Sequence, residues 1–169
     1  PIELLEIIKS VSQQGMGLPL LIRFPDILAD RLARLHDSMA QAIARYEYQG
    51  NYQGVFPIKC NQNRQLIEAL VDYGKPYQFG LEAGSKPELM IALACLASVK
   101  EGQPLLMCNG YKDREYLETA LLATKLGYKP IIVIEQPPEL ELLITIAQEL
   151  EISPIIGLRA KLNSKGIGR

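Results

Sequence analysis

The sequence Pro130-Ile131-Ile132-Val133-Ile134 has no polar side chain, and this stretch decides the fold. A strand with one face in water alternates apolar and polar residues, whereas a parallel strand covered on both faces is apolar throughout. Leu105-Leu106-Met107 has the same continuous character. Both runs therefore predict strands of a parallel sheet that is covered on both faces.

Outward from this stretch, short apolar runs alternate with helical patterns. The runs repeat at roughly 25 residues, which accommodates one strand and one helix. Glycine, which can take a helix C-cap, or proline, which stops a helix, stands at each return to a strand. These residues are Gly74, Gly102, Gly127 and Pro154. Strands are predicted near Val55 and at residues 78–81, 105–107, 131–134 and 155–158, and helices at residues 63–73, 85–97, 113–126 and 139–150.

The first 50 residues follow a different pattern. Residues 2–12 predict a short amphipathic helix, and residues 18–24 predict an extended apolar segment. Pro25 and Asp26 give a helix start signal, and the helical pattern then continues to about Tyr48. We therefore expect a lead-in over residues 1–50 and the first βα units of a larger domain over residues 51–169.

Repeated βα units build either an open doubly wound sheet or a closed (β/α)8 barrel. An open sheet that binds a dinucleotide carries a glycine-rich turn after its first strand, but here that strand leads into Pro57-Ile58-Lys59-Cys60-Asn61 without glycine. A complete barrel needs about 250 residues. The sequence therefore predicts an α/β fold, a partial (β/α)8 barrel with an incomplete set of strands.

Composition excludes several classes of protein. The 18 basic and 19 acidic residues leave a net charge of -1, which gives no basic excess for binding nucleic acid. No apolar run is long enough to span a bilayer, and no secretory signal is present, so no membrane partner and a cytoplasmic location are expected. The three cysteines, Cys60, Cys95 and Cys108, form no Cys-x-x-Cys pair and indicate neither a zinc cluster nor a disulfide framework.

His36 is the only histidine. It lies on the flank of an apolar stripe in the predicted long helix, where a partly buried structural histidine is expected rather than a catalytic base.

Polar side chains follow the predicted strands at their carboxyl ends, where βα folds carry their chemistry. Lys59 is the most informative of them, because an ammonium at the end of a buried strand is poorly hydrated and can act as a neutral amine that forms an imine with an aldehyde. The alternative, favoured by position alone, is a lysine whose amine extends into water. Cys60 is expected to point the other way and pack outward.

For other residues at these strand ends, the sequence leaves both a structural and a functional interpretation open. We expect Glu82 and Arg159 to lie on neighbouring strand ends and to pair, either as a surface salt bridge or as a charge pair that orients an anionic or phenolic ligand group near Lys59. Ser85 is expected to cap the following helix with Glu88 as its capping-box partner. Asn109 and Gly110 predict a turn.

Five strings of residues extend this interpretation. They are residues 18–28 (LPLLIRFPDIL), 52–62 (YQGVFPIKCNQ), 80–90 (GLEAGSKPELM), 108–116 (CNGYKDREY) and 157–162 (GLRAKL). In these strings, and along nearly its whole length, the chain resembles the biosynthetic arginine decarboxylase family. That family consists of pyridoxal-phosphate enzymes with an alanine-racemase-like barrel, which convert L-arginine to agmatine and carbon dioxide on the route to putrescine and spermidine.

The resemblance implies roles for three residues. Lys59 matches the lysine that forms the internal aldimine with pyridoxal 5'-phosphate, and Glu82 and Arg159 match positions close to the cofactor ring and its phenolic oxygen. It also implies magnesium, for which no ligand cluster is apparent, and a homo-oligomer. Family members continue well past Arg169, and their phosphate-binding and substrate-recognising residues come later, so we expect residues 1–169 alone to be inactive.

Other functions stay open at this point. A related ornithine or diaminopimelate decarboxylase shares the barrel and the lysine. A non-catalytic barrel that binds pyridoxal phosphate for homeostasis or regulation also fits. An interaction module ranks last, because apolar helix faces are needed to cover the sheet.

Overall fold

Five parallel strands alternate with helices in a computed structural model that describes residues 2–99 and 102–160. The helices are α1 Leu4–Gln13, α2 Pro25–Arg45, α3 Arg64–Gly74, α4 Lys86–Leu96, α5 Arg114–Lys125 and α6 Pro137–Leu150. The strands are β1 Val55–Pro57, β2 Gly80–Ala83, β3 Leu105–Cys108, β4 Lys129–Ile134 and β5 Ile155–Leu158. Two one-turn 3₁₀ helices, Ile58–Cys60 and Lys75–Tyr77, follow β1 and α3.

Strand order distinguishes the two architectures left open by the sequence. The strands lie side by side in the order β1-β2-β3-β4-β5, and every neighbouring pair is parallel. A doubly wound sheet reverses its order at a switch point, whereas a barrel adds each strand beside the previous one. The α/β class and the partial (β/α)8 barrel are therefore confirmed.

The main core lies between the sheet and helices α3 to α6. Alternate strand residues such as Leu106 and Ile132 are fully buried against helix residues such as Leu117 and Leu143. The intervening residues, including Met107, are only half-buried and line a cavity on the other face. The described helices thus cover one face, and the apolar character of the second face belongs to the interior side of the barrel.

Helix α2 joins the first 50 residues to the sheet. It packs against α3 and forms a second cluster in which Leu32, Leu70 and Phe79 are buried. The rest of the lead-in is less tightly packed, and α1 buries no residue. The division at residue 50 remains a prediction.

The apolar segment at residues 18–24 has no regular secondary structure, and Leu18 and Leu21 are exposed. The expected glycine C-cap at the end of α3 was wrong. Gly74 does not take a left-handed C-cap, because α3 continues into the 3₁₀ helix and Gln78, with φ 51°, makes the reversal instead. Gly127 does have the expected positive φ, 87°, directly after α5.

Candidate functional site

A cavity of about 620 Å³ opens where the strands end. Its volume lies within the range of small-molecule sites, about 300–1,000 Å³. Apolar side chains from the sheet form its floor, and charged and amide groups form its rim. The rim side chains are Lys59, Glu82, Glu88, Asn109, Glu135 and Arg159.

Lys59 lies in the one-turn 3₁₀ helix that follows β1. Ile58, which is fully buried, fixes that turn against the core, and the Lys59 side chain extends to the cavity with 68% of its surface exposed. In the described residues, this exposure corresponds to the alternative that position alone favours, a lysine whose amine extends into water. Cys60 is exposed, not packed, because the 3₁₀ turn interrupts the alternation of a strand.

Glu82 reaches the same cavity from β2. Its neighbours Leu81 and Ala83 are fully buried, so the pleat directs Glu82 to the opposite face. Its Oε1 atom lies 3.8 Å from Nζ of Lys59. Since the lysine is largely exposed, the pair orients the two groups more than it stabilises the fold.

Arg159 follows β5 and pairs with Glu135, not with Glu82. Its Nη1 donates to Oε2 of Glu135 at 2.6 Å. The predicted pairing of Glu82 with Arg159 was wrong because β3 and β4 separate β2 from β5. Resemblance could place both residues near one ligand, but only the strand order shows that they stand on well-separated strands.

Glu135 directly follows β4, at a strand end where the sequence predicts a polar side chain, but its partners were not predicted. Its carboxylate accepts from the N–H of Gly110 at 2.7 Å as well as from Arg159. Burial raises the pKa of Glu135, but these two donors act in the opposite direction, and the net pKa lies below the usual value. The carboxylate is thus held in its charged form between a backbone loop and a cation.

Two further glutamates fix the loops around the cavity. Glu88 and Glu139 each stand at the third position of a helix, and each accepts from the N–H of the residue before the N-cap, Gly84 at 2.7 Å and Glu135 at 2.9 Å. The Ser85 hydroxyl does accept from the Glu88 N–H at 3.4 Å. The expected capping box is therefore only half formed, since the Glu88 carboxylate bonds Gly84 rather than Ser85.

Lys112 and Glu139 form a buried ion pair that the sequence did not predict. The Lys112 side chain has no exposed surface, and its Nζ donates to Oε2 of Glu139 at 3.2 Å and to the Gly110 carbonyl at 2.6 Å. The available sequence signal was Glu139 itself, a glutamate at the third position of a helix. In the structure the N-cap of that helix, Gln136, makes no side-chain hydrogen bond to the helix. Nothing local indicated that Lys112 would be buried.

His36 lies away from this cavity. Its ring stacks on Tyr77 with centroids 4.2 Å apart and lies 5.1 Å from the ring of Tyr52. Those tyrosines precede β2 and β1, so His36 is at the amino edge of the sheet. Burial lowers the pKa of His36, and Asp37 opposes this effect.

Residues 161–169 lie outside the described part of the chain, and with them the last two residues of the GLRAKL string. Within residues 2–99 and 102–160, no group of three or more His, Cys, Asp and Glu side chains is arranged to hold a metal ion. No described helix has the length and apolar character needed to cross a membrane.

Two curated proteins are similar to this chain over nearly its whole length. The chain is 59% identical over 174 residues to biosynthetic arginine decarboxylase 1 of Synechocystis sp., and the aligned region covers 99% of this chain and 25% of that protein. It is 59% identical over 168 residues to biosynthetic arginine decarboxylase of Nostoc sp., covering 99% of this chain and 24% of that protein. The chain thus spans about a quarter of the length of the curated relatives it matches.

A solved structure matches the fold directly. The crystal structure of the biosynthetic arginine decarboxylase of Campylobacter jejuni superposes with a TM-score of 0.86 at 33% sequence identity, over 95% of this chain and 27% of that one. The family model for the pyridoxal-dependent decarboxylase, pyridoxal binding domain, matches residues 30–167. The chain therefore belongs to the pyridoxal-dependent decarboxylase family, in the part of it that forms the pyridoxal-binding domain.

Proposed function

We propose that the full-length protein is a pyridoxal-phosphate-dependent decarboxylase that converts L-arginine to agmatine and carbon dioxide, a step of polyamine biosynthesis. One observation carries the proposal: the Lys59 amine reaches a cavity at the carboxyl edge of a pyridoxal-binding domain, 3.8 Å from the carboxylate of Glu82. The names of the relatives at 59% identity support arginine as the substrate.

The chemistry of the donor set fits pyridoxal phosphate. A primary amine at Lys59 is the group that binds an aldehyde, and Glu82 and Arg159 supply one acidic and one basic group on the same rim. Lys59, Glu82 and Arg159 are thus our candidates to hold the cofactor. When bound, pyridoxal phosphate supplies an electron sink that lets an amino acid lose its carboxylate.

Glu82 positions the amine of Lys59 in this proposal. Its carboxylate faces the cavity because β2 is pleated, and it holds the ammonium of Lys59 on the cavity side.

Three finer expectations remain proposals. We infer a homo-oligomeric full-length enzyme in the cytoplasm, and a chain of residues 1–169 that is inactive by itself because phosphate-binding and substrate-recognising groups are expected elsewhere. A magnesium requirement is proposed only because the resemblance implies it. Size-exclusion chromatography with light scattering measures the oligomer, and activity after chelation tests the metal.

Carbon dioxide release by the full-length protein with pyridoxal phosphate tests the substrate. We expect release from arginine and not from ornithine, lysine or diaminopimelate, and its loss in Lys59→Ala. Release from ornithine or diaminopimelate instead identifies a different decarboxylase of the same family. Cofactor binding without release from any of these amino acids identifies a binding or regulatory protein and contradicts the proposal.

A further inference from the structure

We propose that Glu135 is a positioning residue that holds the guanidinium of Arg159 at the rim of the cavity, and that the buried Lys112–Glu139 pair fixes Glu135 for this task. The inference rests on the proposed function, because it assigns Arg159 to the cofactor site. It adds a role for the carboxylate of Glu135, for which the strand-end pattern gave no partner, and a role for the ion pair behind it.

Glu135 connects two loops that come from different strands. One carboxylate oxygen accepts from the Gly110 N–H in the loop after β3, and the other accepts from Arg159 after β5. The Glu135 side chain is 14% exposed, whereas that of Arg159 is 62% exposed. The glutamate is therefore the more enclosed partner and the fixed point to which the exposed arginine is bound.

Gly110 makes that fixed point rigid. Its φ of 75° is left-handed, and a Cβ at this position would lie 2.2 Å from the carbonyl oxygen of Gly84. Its N–H donates to Glu135 while its carbonyl accepts from Nζ of Lys112. The Gly110 peptide groups are thus held from both sides, and the loop cannot swing without breaking charge-assisted hydrogen bonds.

Glu139 holds the backbone of Glu135 in turn. Its carboxylate accepts from the Glu135 N–H at 2.9 Å and from the Lys112 N–H at 3.2 Å, in addition to the Lys112 ammonium. Both charges are shielded from water, so the pair resists rearrangement far more than a surface pair does. This buried pair therefore fixes the backbone position of Glu135, and the Glu135 carboxylate fixes the position of the Arg159 guanidinium.

A cation fixed at the rim has a defined use. An arginine without a partner populates many rotamers, whereas one bound to a largely enclosed carboxylate such as that of Glu135 presents its remaining N–H donors in one direction. The groups it would meet are anionic or phenolic oxygens of the cofactor. Loss of Glu135 is thus expected to weaken cofactor binding through Arg159, without loss of any group that reacts.

The test is a double-mutant cycle in the full-length protein with the dissociation constant of pyridoxal phosphate as the readout. We expect Glu135→Gln to raise that constant about tenfold. We expect Arg159→Ala to raise it by a similar factor, and the double variant to be no worse than Arg159→Ala alone. Glu149→Gln is the matched control, because Glu149 pairs with Arg114 on the exposed surface outside the cavity.

Each outcome has a separate meaning. Additive effects of Glu135→Gln and Arg159→Ala, or an unchanged dissociation constant in Glu135→Gln, overturn the positioning role while leaving the proposed function intact. A wild-type protein that binds no pyridoxal phosphate contradicts the proposed function itself. Lys112→Met tests the supporting pair, and it should raise the same constant in the wild-type background but not in Arg159→Ala.

Discussion

The two edges of the parallel sheet are built from different side chains. At the carboxyl edge, charged groups surround an open cavity, and buried carboxylates bind backbone N–H groups of the loops. At the amino edge, helix α2 brings His36 into a cluster of aromatic rings from Tyr52, Tyr77 and Phe79. Barrels of this type place ligand chemistry at the carboxyl edge and stability at the amino edge.

The difference shows how one sheet serves two purposes. Electrostatic fixation at the carboxyl edge holds loops in place and leaves Lys59 and Arg159 exposed to a ligand. Aromatic packing at the amino edge buries surface and leaves little that can react. Substitutions of the exposed groups at the first edge should change binding and catalysis, whereas substitutions of its buried ion pair should change stability as well. Substitutions at the second edge should change stability alone.

Lys59→Ala is expected to have the largest effect. Decarboxylation of arginine by the full-length protein should fall by about a thousandfold or more, because the substitution removes the amine that is proposed to bind the cofactor. Thermal stability without cofactor should stay nearly unchanged, since the side chain is mostly exposed. Lys75→Ala, an exposed lysine at the amino edge paired with Asp72, is the matched control. If Lys59→Ala retained its activity, this would contradict the assignment of the catalytic chemistry to the carboxyl edge.

Lys112→Met is expected to have the largest effect on stability. It leaves Glu139 as a buried charge without its counter-ion, and the free energy of unfolding should fall by about 3–5 kcal/mol in a urea titration. Replacing Glu139 by glutamine in the same variant should restore part of this loss. Lys86→Met, which breaks an exposed pair with Asp113 and Glu115, serves as the control. Equal losses in the two methionine variants contradict the burial argument.

Phe79→Ala tests the amino edge. The ring is 7% exposed and packs with Leu32 and Leu70, so its removal should lower the free energy of unfolding by about 3 kcal/mol. The KM for arginine and the affinity for pyridoxal phosphate should not change. Tyr73→Ala, at a more exposed ring on α3, should cost much less. Altered cofactor affinity at unchanged stability would show that the two edges are not separate.

His36 should produce the smallest effect, a pH dependence of stability. Burial lowers its pKa in the folded state, so the unfolded chain binds a proton more readily. Stability is therefore greatest above the ordinary pKa of 6.5 and declines as the pH falls toward the lower folded-state value. Urea titrations from about pH 8 to pH 5 should show wild type losing stability relative to His36→Phe.

Asp37 gives this last prediction a second arm. Its carboxylate opposes the effect of burial on the pKa of His36. Asp37→Asn should therefore enlarge the loss of stability at low pH. A smaller loss in Asp37→Asn, or parallel pH profiles for wild type and His36→Phe, would contradict the burial of this ring.

Local patterns were enough to predict most of the fold. Helices α3 to α6 begin and end within two residues of the predicted bounds, because apolar spacing and helix breakers act over a few residues. The partial barrel also followed from the repeat length and the lack of a glycine-rich turn. The exposure of Leu18 and Leu21 was not predictable, because apolar content alone does not show which residues find a packing partner.

The candidate site was predictable only in part. Strand ends brought Lys59, Glu82 and Arg159 to one cavity, as expected for a parallel sheet. The partner of Arg159 was not predictable, because pairing across a sheet depends on the order of the strands. Burial of Lys112 depends on atoms of Gly110 and Glu139 that only the folded loops bring together.

Covalent trapping at Lys59 tests the central proposal most directly. Full-length protein is incubated with pyridoxal phosphate, reduced with borohydride and digested, and the labelled peptide is identified by mass spectrometry. Label on the peptide that contains Lys59, absent from Lys59→Ala and unchanged in Lys75→Ala, is the predicted result. Label on a different lysine, or no label in a protein that decarboxylates arginine, would contradict the assignment of Lys59 as the group that holds the cofactor.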